Sequence, residues 1–253
     1  MSCLYIVGIG PGGKEDMTFR AFTALENSTA IYGYTRYVEL VKEILPDQTY
    51  VSTGMRSEVD RCEQAIEACM ADKNAAISVV SSGDAGIYGM TSLIYELIEF
   101  KGYEGAFEVE VIPGVSAAAS CGAILGAPCA NDFVTLSLSD QLTPWPVIER
   151  RLHAAAGGDF VIVLYNVRSK ARPQHLDRAV EIIGQYRDVD TTICAWVKNA
   201  GRRDQAVGES SLRDLAREPI DMLTTVFIGN SETIFCCNKM INPRGYADKY
   251  LLD

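Results

Sequence analysis

Ala76-Ile77-Ser78-Val79-Val80-Ser81-Ser82-Gly83-Asp84-Ala85-Gly86-Ile87-Tyr88-Gly89-Met90 decides the fold class. Its first half is an apolar, β-branched run, the pattern of a strand buried in a parallel sheet. The run breaks into Ser82-Gly83-Asp84, and Gly86 and Gly89 keep the following backbone close to whatever lies beside it. From about Gly89 the spacing predicts a helix, with Met90, Leu93, Ile94, Leu97 and Ile98 on one buried face. Open α/β sheets place their ligands where a strand ends in a small-residue loop, which sets Asp84 at the mouth of a crevice.

Upstream, Cys3-Leu4-Tyr5-Ile6-Val7 reads as the first strand, followed by Gly8-Ile9-Gly10-Pro11-Gly12-Gly13. Gly8, Gly10 and Gly13 satisfy the GxGxxG dinucleotide fingerprint in form. The fingerprint also needs a carboxylate at the end of the second strand, and Ala30-Ile31-Tyr32 ends instead in Gly33-Tyr34. Pro11 removes one backbone N–H from the loop. A close-packed turn facing some other ligand is the better account. Helices are predicted over Asp16 to Ser28, with Phe19, Phe22 and Leu25 inward, and over Tyr37 to Leu45. A third strand is expected near Thr49-Tyr50-Val51. Ser57 is placed to cap the next helix with Asp60, whose inner face carries Val59, Cys62, Ile66, Cys69 and Met70. Glu108 to Ile112 is a fifth strand, so β and α alternate as a doubly wound parallel sheet requires. Pro113 to Ser120 turns into a small-residue helix ended by Pro128 and marks a boundary. An N-terminal α/β domain over 1–113 and a C-terminal α/β domain with a mixed sheet over 114–253 are expected.

In the second half Phe133 to Leu138 alternates as a strand, and Pro144-Trp145-Pro146 opens a helix. Phe160 to Tyr165, Thr191 to Val197 and Leu223 to Ile228 read as further strands. Arg168, Lys170 and Arg172 form the densest positive charge in the chain, read by default as a solvated loop. His153 and His175 read as isolated surface residues, and Cys236-Cys237 as core.

A net charge of −10 argues against nucleic acid, which wants a basic stripe, yet leaves room for an anionic small molecule held by local arginines. No apolar stretch approaches the roughly 18–20 residues a membrane helix needs. Eight cysteines without a CxxC pair, and an opening Met1-Ser2-Cys3-Leu4 without signal-peptide character, predict reduced thiols and a cytoplasmic protein. There is no GxSxG elbow, no P-loop and no HExxH pair, and no metal site is expected. What remains are strand ends with small side chains: Ser82-Gly83-Asp84, Ser116-Ala117, Asn166 and Asn199-Ala200. Such ends offer backbone hydrogen bonds and little charge, and suit a cofactor that brings its own reactivity.

Three segments carry a resemblance: Gly8-Ile9-Gly10-Pro11-Gly12, Gly83-Asp84-Ala85-Gly86-Ile87-Tyr88-Gly89 and Val111-Ile112-Pro113-Gly114-Val115-Ser116-Ala117. With them stand Gly33-Tyr34, Thr53-Gly54-Met55-Arg56 with Glu58 and Arg61, and Leu136-Ser137-Leu138-Ser139-Asp140. Thr143-Pro144-Trp145, Leu164-Tyr165-Asn166 and Pro243-Arg244-Gly245-Tyr246 complete the set. In this order they resemble the tetrapyrrole (corrin/porphyrin) methylase family over residues 3 to 246, and within it the branch acting at C17 of cobalamin-pathway tetrapyrroles.

The resemblance implies two α/β domains with S-adenosylmethionine folded between them, a homodimer, and methyl transfer coupled to ring contraction. It implies cofactor contacts from Pro11, Ser82, Gly83, Asp84, Ile87, Ser116, Ala117, Asn166 and Ala200. The macrocycle is expected against Gly10 and Ser139, its carboxylates met by some of Arg56, Arg61, Arg168 and Arg172. Tyr34, Asp84 and Asp140 are the candidates for moving protons. Three departures stand out: Gly33-Tyr34 where uroporphyrinogen methylases carry an Asp, Ala85 for a usual Pro, and Asn242 for a Thr. The competing readings are a C11-methylating relative, which Gly33-Tyr34 and Thr53-Gly54-Met55 disfavour, a nicotinamide-dependent oxidoreductase using the first loop, and a non-catalytic carrier.

Overall fold

Five strands and four helices alternate before residue 113, and the order in which those strands pair locates the ligand edge. The computed structural model describes residues 1–250 and divides into two units, Met1–Ala117 and the chain from Ala118 onward.

In the first unit β1 (Cys3–Gly8), β2 (Ala30–Tyr34), β3 (Tyr50–Thr53), β4 (Ala76–Ser81) and β5 (Glu108–Ile112) form one sheet in the order β3-β2-β4-β1-β5. Every neighbouring pair in it is parallel. Side chains alternate between its faces. Leu4, Ile6, Ile77 and Val79 pack with Cys62, Ile66 and Cys69 of α3 (Glu58–Ala71) and with Ile94 and Ile98 of α4 (Thr91–Lys101). Val7, Ile31 and Val80 pack on the other face with Ala21 and Leu25 of α1 (Phe19–Glu26) and Val41 of α2 (Thr35–Ile44). Two helices per face is the doubly wound arrangement. The chain leaves β1 toward β2 on one side and leaves β4 toward β5 on the other. The carboxyl ends of these adjacent strands are therefore the switch point.

The second unit has α5 (Ala117–Leu125, its first residue in the first unit), β6 (Gly126–Ala127), β7 (Phe133–Ser137), α6 (Trp145–Gly157), β8 (Val161–Tyr165), α7 (His175–Ile183), β9 (Ile193–Lys198), β10 (Ala206–Ser211) and β11 (Thr224–Ile228). Its main sheet runs β10-β9-β11-β8-β7 and is mixed: β7 and β8 are parallel, while β11 opposes both β8 and β9. The strands β12 (Ile234–Cys236) and β13 (Lys239–Ile241) form a hairpin that adds to β6. The short helix α8 (Tyr246–Tyr250) follows. One core holds this unit together, built from Leu138, Ile148, Leu152, Leu164, Leu176, Trp196 and Val226 among others.

Several local expectations are corrected. The first helix starts at a cap on Thr18, whose Oγ1 accepts the Ala21 N–H, rather than at Asp16, and this turns Phe19 out to 94% exposure. The Ser57 side chain makes no cap hydrogen bond, and Glu58 accepts the Arg56 N–H instead. Val59, at the mouth of that helix, is exposed. α5 ends at Leu125, before Gly126 at φ +130° and three residues short of Pro128, and a side chain on Gly126 would strike Lys239 and Met240. Cys236 and Cys237 are exposed at the hairpin tip rather than in the core.

Candidate active site

The switch point is built from glycines. A Cβ on Gly8 would lie 2.6 Å from Gly114 N and 2.7 Å from Gly83 O. One on Gly114 would lie 2.1 Å from Gly83 O and 2.5 Å from Gly8 O. Three loops thus meet with backbone on backbone, which only glycine permits. Ile9 N donates to Ser81 O at 2.9 Å, and Gly10 and Gly83 exchange N–H···O bonds of 3.0 and 2.7 Å. Those N–H groups are the ones a dinucleotide pyrophosphate would need, and they are spent on the β4 loop. The nicotinamide reading loses its physical basis here.

Asp84 holds the same junction. Its Oδ1 accepts the Gly86 N–H at 2.8 Å and its Oδ2 accepts the Gly114 N–H at 3.0 Å. Beyond it the chain folds tightly: Thr91 Oγ1 donates to Ala85 O at 2.7 Å, and the Met90 N–H donates to Ser81 Oγ at 3.2 Å. Gly89 is required because a Cβ would come within 2.4 Å of Ala85 O. This leaves Ile87 exposed and Ser82, Gly83, Ser116 and Ala117 half-buried along one rim, with Gly10 and Pro11 buried beside Gly83.

Further along the same edge, Tyr34 closes β2 and packs edge-to-face on Tyr37. Gly33 before it has no room for a side chain, since a Cβ would lie 2.5 Å from Val80 Cγ2, which accounts for the absence of a longer residue there. Arg61 is only 3% exposed. Its Nε donates to Thr53 Oγ1 at 2.8 Å and its guanidinium to Gly54 O at 3.3 Å, so it braces the loop that presents Arg56. Arg56 is exposed with φ +66°.

In the second unit β9 runs in the same direction as β7 and β8, because β11 opposes both its neighbours. The carboxyl ends of β7, β8 and β9 therefore share one edge, which brings Ser139 and Asp140, Asn166 and Ala200 together. Asn166, at φ +53°, donates from Nδ2 to Ser137 Oγ at 3.0 Å. Asn199 is buried, at φ +50°, and its Nδ2 donates to Asp204 at 2.8 Å, which fixes the turn carrying Ala200. The Tyr165 hydroxyl accepts the Ala118 N–H in the first turn of α5.

The basic cluster is not a solvated loop. Arg172 is buried, donates to Ser139 Oγ, and lies 4.0 Å from Asp140 Oδ1. Arg168 is tied to Asp177 at 3.2 Å and to the Ala216 carbonyl at 2.9 Å, and only Lys170 and its immediate neighbour Ala171 face outward. His175 is likewise no surface residue. Its Nδ1 donates to Leu138 O at 2.8 Å, its ring packs on Trp145, and its Nε2 lies 3.5 Å from Asp140 Oδ2. Asp140 thus sits between a buried arginine and an anchored histidine with its outer side open to solvent. His175 was missed because it stands alone in sequence. The usable signal was its place four and seven residues before Ala179 and Ile182 on the buried face of α7.

A cavity of about 370 Å³ lined by Tyr95, Ile98, Tyr103 and Phe107 lies at the far end of α4 and the entry to β5, away from the switch point. It belongs to the opposite edge of the sheet. No cluster of three or more His, Cys, Asp or Glu suited to a metal occurs among the described residues.

With that geometry in hand, the chain matches the tetrapyrrole (corrin/porphyrin) methylases over residues 3–216. It is 46% identical over 252 residues to the cobalt-factor III methyltransferase of Priestia megaterium, covering 99% of this chain and 46% of that protein. The chain therefore spans under half the length of that relative. It is 43% identical over 244 residues to the "Probable cobalt-factor III C(17)-methyltransferase" of Salmonella typhimurium, covering 96% of this chain and 99% of that one. Among solved structures it is similar to the methyltransferase CobJ, with a TM-score of 0.89 and 34% identity, over 96% of this chain and 100% of that one. The uroporphyrin-III C-methyl transferase of Thermus thermophilus, complexed with S-adenyl homocysteine, shares the fold at a TM-score of 0.68 and 18% identity, over 89% and 96% of the two chains. A glycine-laced switch point, a mixed second sheet and a match along most of the chain converge, and the chain belongs to the tetrapyrrole (corrin/porphyrin) methylases.

Proposed function

We propose that this chain transfers a methyl group from S-adenosylmethionine to C17 of a cobalamin-pathway tetrapyrrole, precorrin-3B or cobalt-factor III, with contraction of the ring. The observation that carries this is the match along nearly the full length of both chains to the Salmonella protein named "Probable cobalt-factor III C(17)-methyltransferase". The relative solved with S-adenyl homocysteine supports the cofactor class.

The residues present fit that cofactor. Ser82, Gly83, Ser116 and Ala117 in the first unit are small, uncharged and half-buried, and so are Asn166 and Ala200 in the second. The one carboxylate among the first set, Asp84, has both oxygens engaged by backbone N–H groups. Pro11 and Ile87 add apolar surface. When bound, the cofactor supplies an electrophilic methyl on a sulfonium, so the chain's own task is alignment and exclusion of water. Asp84 is then a residue that holds the loop, and its proton-moving role passes to Tyr34 and Asp140. Arg56, presented on the loop that Arg61 braces, meets a substrate carboxylate beside Gly10. Arg172 and Arg168 act from behind, the first by orienting Ser139 and Asp140. We read the working form as a cytoplasmic homodimer, to be checked by sedimentation of the purified chain.

The test is incubation of the protein with methyl-labelled S-adenosylmethionine and either precorrin-3B or cobalt-factor III, followed by mass and NMR analysis of the product. One added methyl on C17 with a contracted ring is expected. A methyl at C11, or a bound tetrapyrrole that gains no methyl, overturns the assignment.

A further inference from the structure

The tip of the β12–β13 hairpin carries two thiols that the methyl-transfer chemistry does not use. Cys236 and Cys237 are both exposed, and their Sγ atoms stand 3.7 Å apart. The other six cysteines are buried or half-buried, and desolvation pushes Cys62 and Cys129 up to about 11, which makes them inert.

The turn that presents the pair is tight. Cys236 pairs with Lys239 across a two-residue turn, and both central residues, Cys237 and Asn238, take left-handed conformations at φ +52° and +58°. That is the type I′ geometry, which usually takes Asn and Gly, so a cysteine at its first central position is held against its own preference. The strand that leaves the turn is pinned as well. Lys239 Nζ donates to Ile124 O at 2.7 Å, and β13 pairs with β6.

We propose that Cys236 and Cys237 form a two-thiolate site for a thiophilic divalent cation of the zinc and cadmium class. Two thiolates bound to one tetrahedral ion at about 2.3 Å each lie about 3.7–3.8 Å apart. The separation on the hairpin therefore matches zinc without movement of either sulfur. No third His, Cys, Asp or Glu completes a ligand set among the described residues, so the other coordination positions go to solvent and the site is open. The net charge of −10 favours a cation. Each sulfur must lose its proton to bind, so affinity increases with pH.

The test is titration of the fully reduced chain with cadmium, followed by the ultraviolet thiolate-to-cadmium charge-transfer band and by proton release. One equivalent per chain is expected, with two protons released, and the band lost in both Cys236→Ser and Cys237→Ser. Because both side chains are exposed, the variants keep the parent melting curve and their S-adenosylhomocysteine binding. A full band in either single variant, or a wild-type chain that takes up no cadmium when every thiol titrates as free, overturns the site.

Discussion

At the scale of single residues, the first unit turns on positions where one atom more does not fit. Gly114→Ala would place a methyl within 2.5 Å of two carbonyl oxygens, and neither is the end of a flexible side chain. We expect a loss of about 1–3 kcal/mol in urea unfolding, from overpacking. The same change abolishes calorimetric binding of S-adenosylhomocysteine. Asp84→Ala leaves the exposed Gly86 N–H and the half-buried Gly114 N–H without their carboxylate, at a cost of about 1 kcal/mol. Cofactor affinity falls with it, while the pH profile of residual activity keeps its shape. A lost limb of that profile would return Asp84 to a proton-moving role. His175 offers a different experiment, because it touches Asp140 rather than the proposed substrate face. Its replacement by Ala lowers kcat by about tenfold, the worth of one positioning hydrogen bond, with KM for the cofactor unchanged. His175→Gln, whose amide takes the place of Nε2 and can still donate to Asp140, recovers most of the rate. Equal losses in the two variants would make the residue structural only.

At the scale of elements, the ligand-facing edge of the second sheet is closed by a latch between β9 and β11. Lys198, the last residue of β9, pairs with Asp221 at 2.5 Å, and Asp221 also accepts the Leu223 N–H and the Thr224 hydroxyl at the start of β11. Burial pushes the Asp221 carboxyl up, but these partners outweigh it and hold it below the usual carboxylate range. The sign follows from linkage. A carboxyl depressed in the folded state contributes stability above its unfolded pKa of about 3.9 and loses it as pH falls through the folded value. Asp221→Asn should therefore cost up to about 1 kcal/mol at pH 7, a figure kept small by solvent screening. The difference between the two chains should shrink in unfolding curves as pH falls below about 3.9 and vanish once the folded carboxyl is protonated. A gap that persists there would mean that the hydrogen bonds, not the charge, make the latch. The hairpin of β12 and β13 is the other element whose role was misjudged from sequence. Ile234, Phe235, Cys236 and Cys237 form an apolar run, but among the described residues its strands pair only with each other and β6, so most of the run faces water.

At the scale of the whole molecule, ligand linkage separates the methyltransferase reading from a nicotinamide one. S-adenosylhomocysteine at about 100 times its Kd should add about 2.7 kcal/mol and raise Tm by about 5–10 °C, and NAD should leave it unchanged. Stabilisation by NAD alone would reverse the reading. The alternation of strand and helix to residue 112, the buried run at Ala76 to Ser81 and the small-residue strand ends were all legible in the sequence. Periodicity and loop composition are local properties, and a sheet buried on both faces leaves them little freedom. Pairing order is not local. That β1 and β4 are neighbours whose chains leave in opposite directions, and that the glycines of Gly8, Gly83 and Gly114 meet, came only from the assembled sheet. The same holds for the charged residues of the second unit. Arg172 and His175 look like a loop charge and a stray histidine along the chain, yet they flank Asp140 because α7 packs its first turn against the end of β7. Sequence therefore determined which segments are strands, helices and ligand-facing loops. Tertiary structure decided which polar atoms are already spent and which are left to act, because hydrogen-bond partners far apart in the chain are chosen by packing.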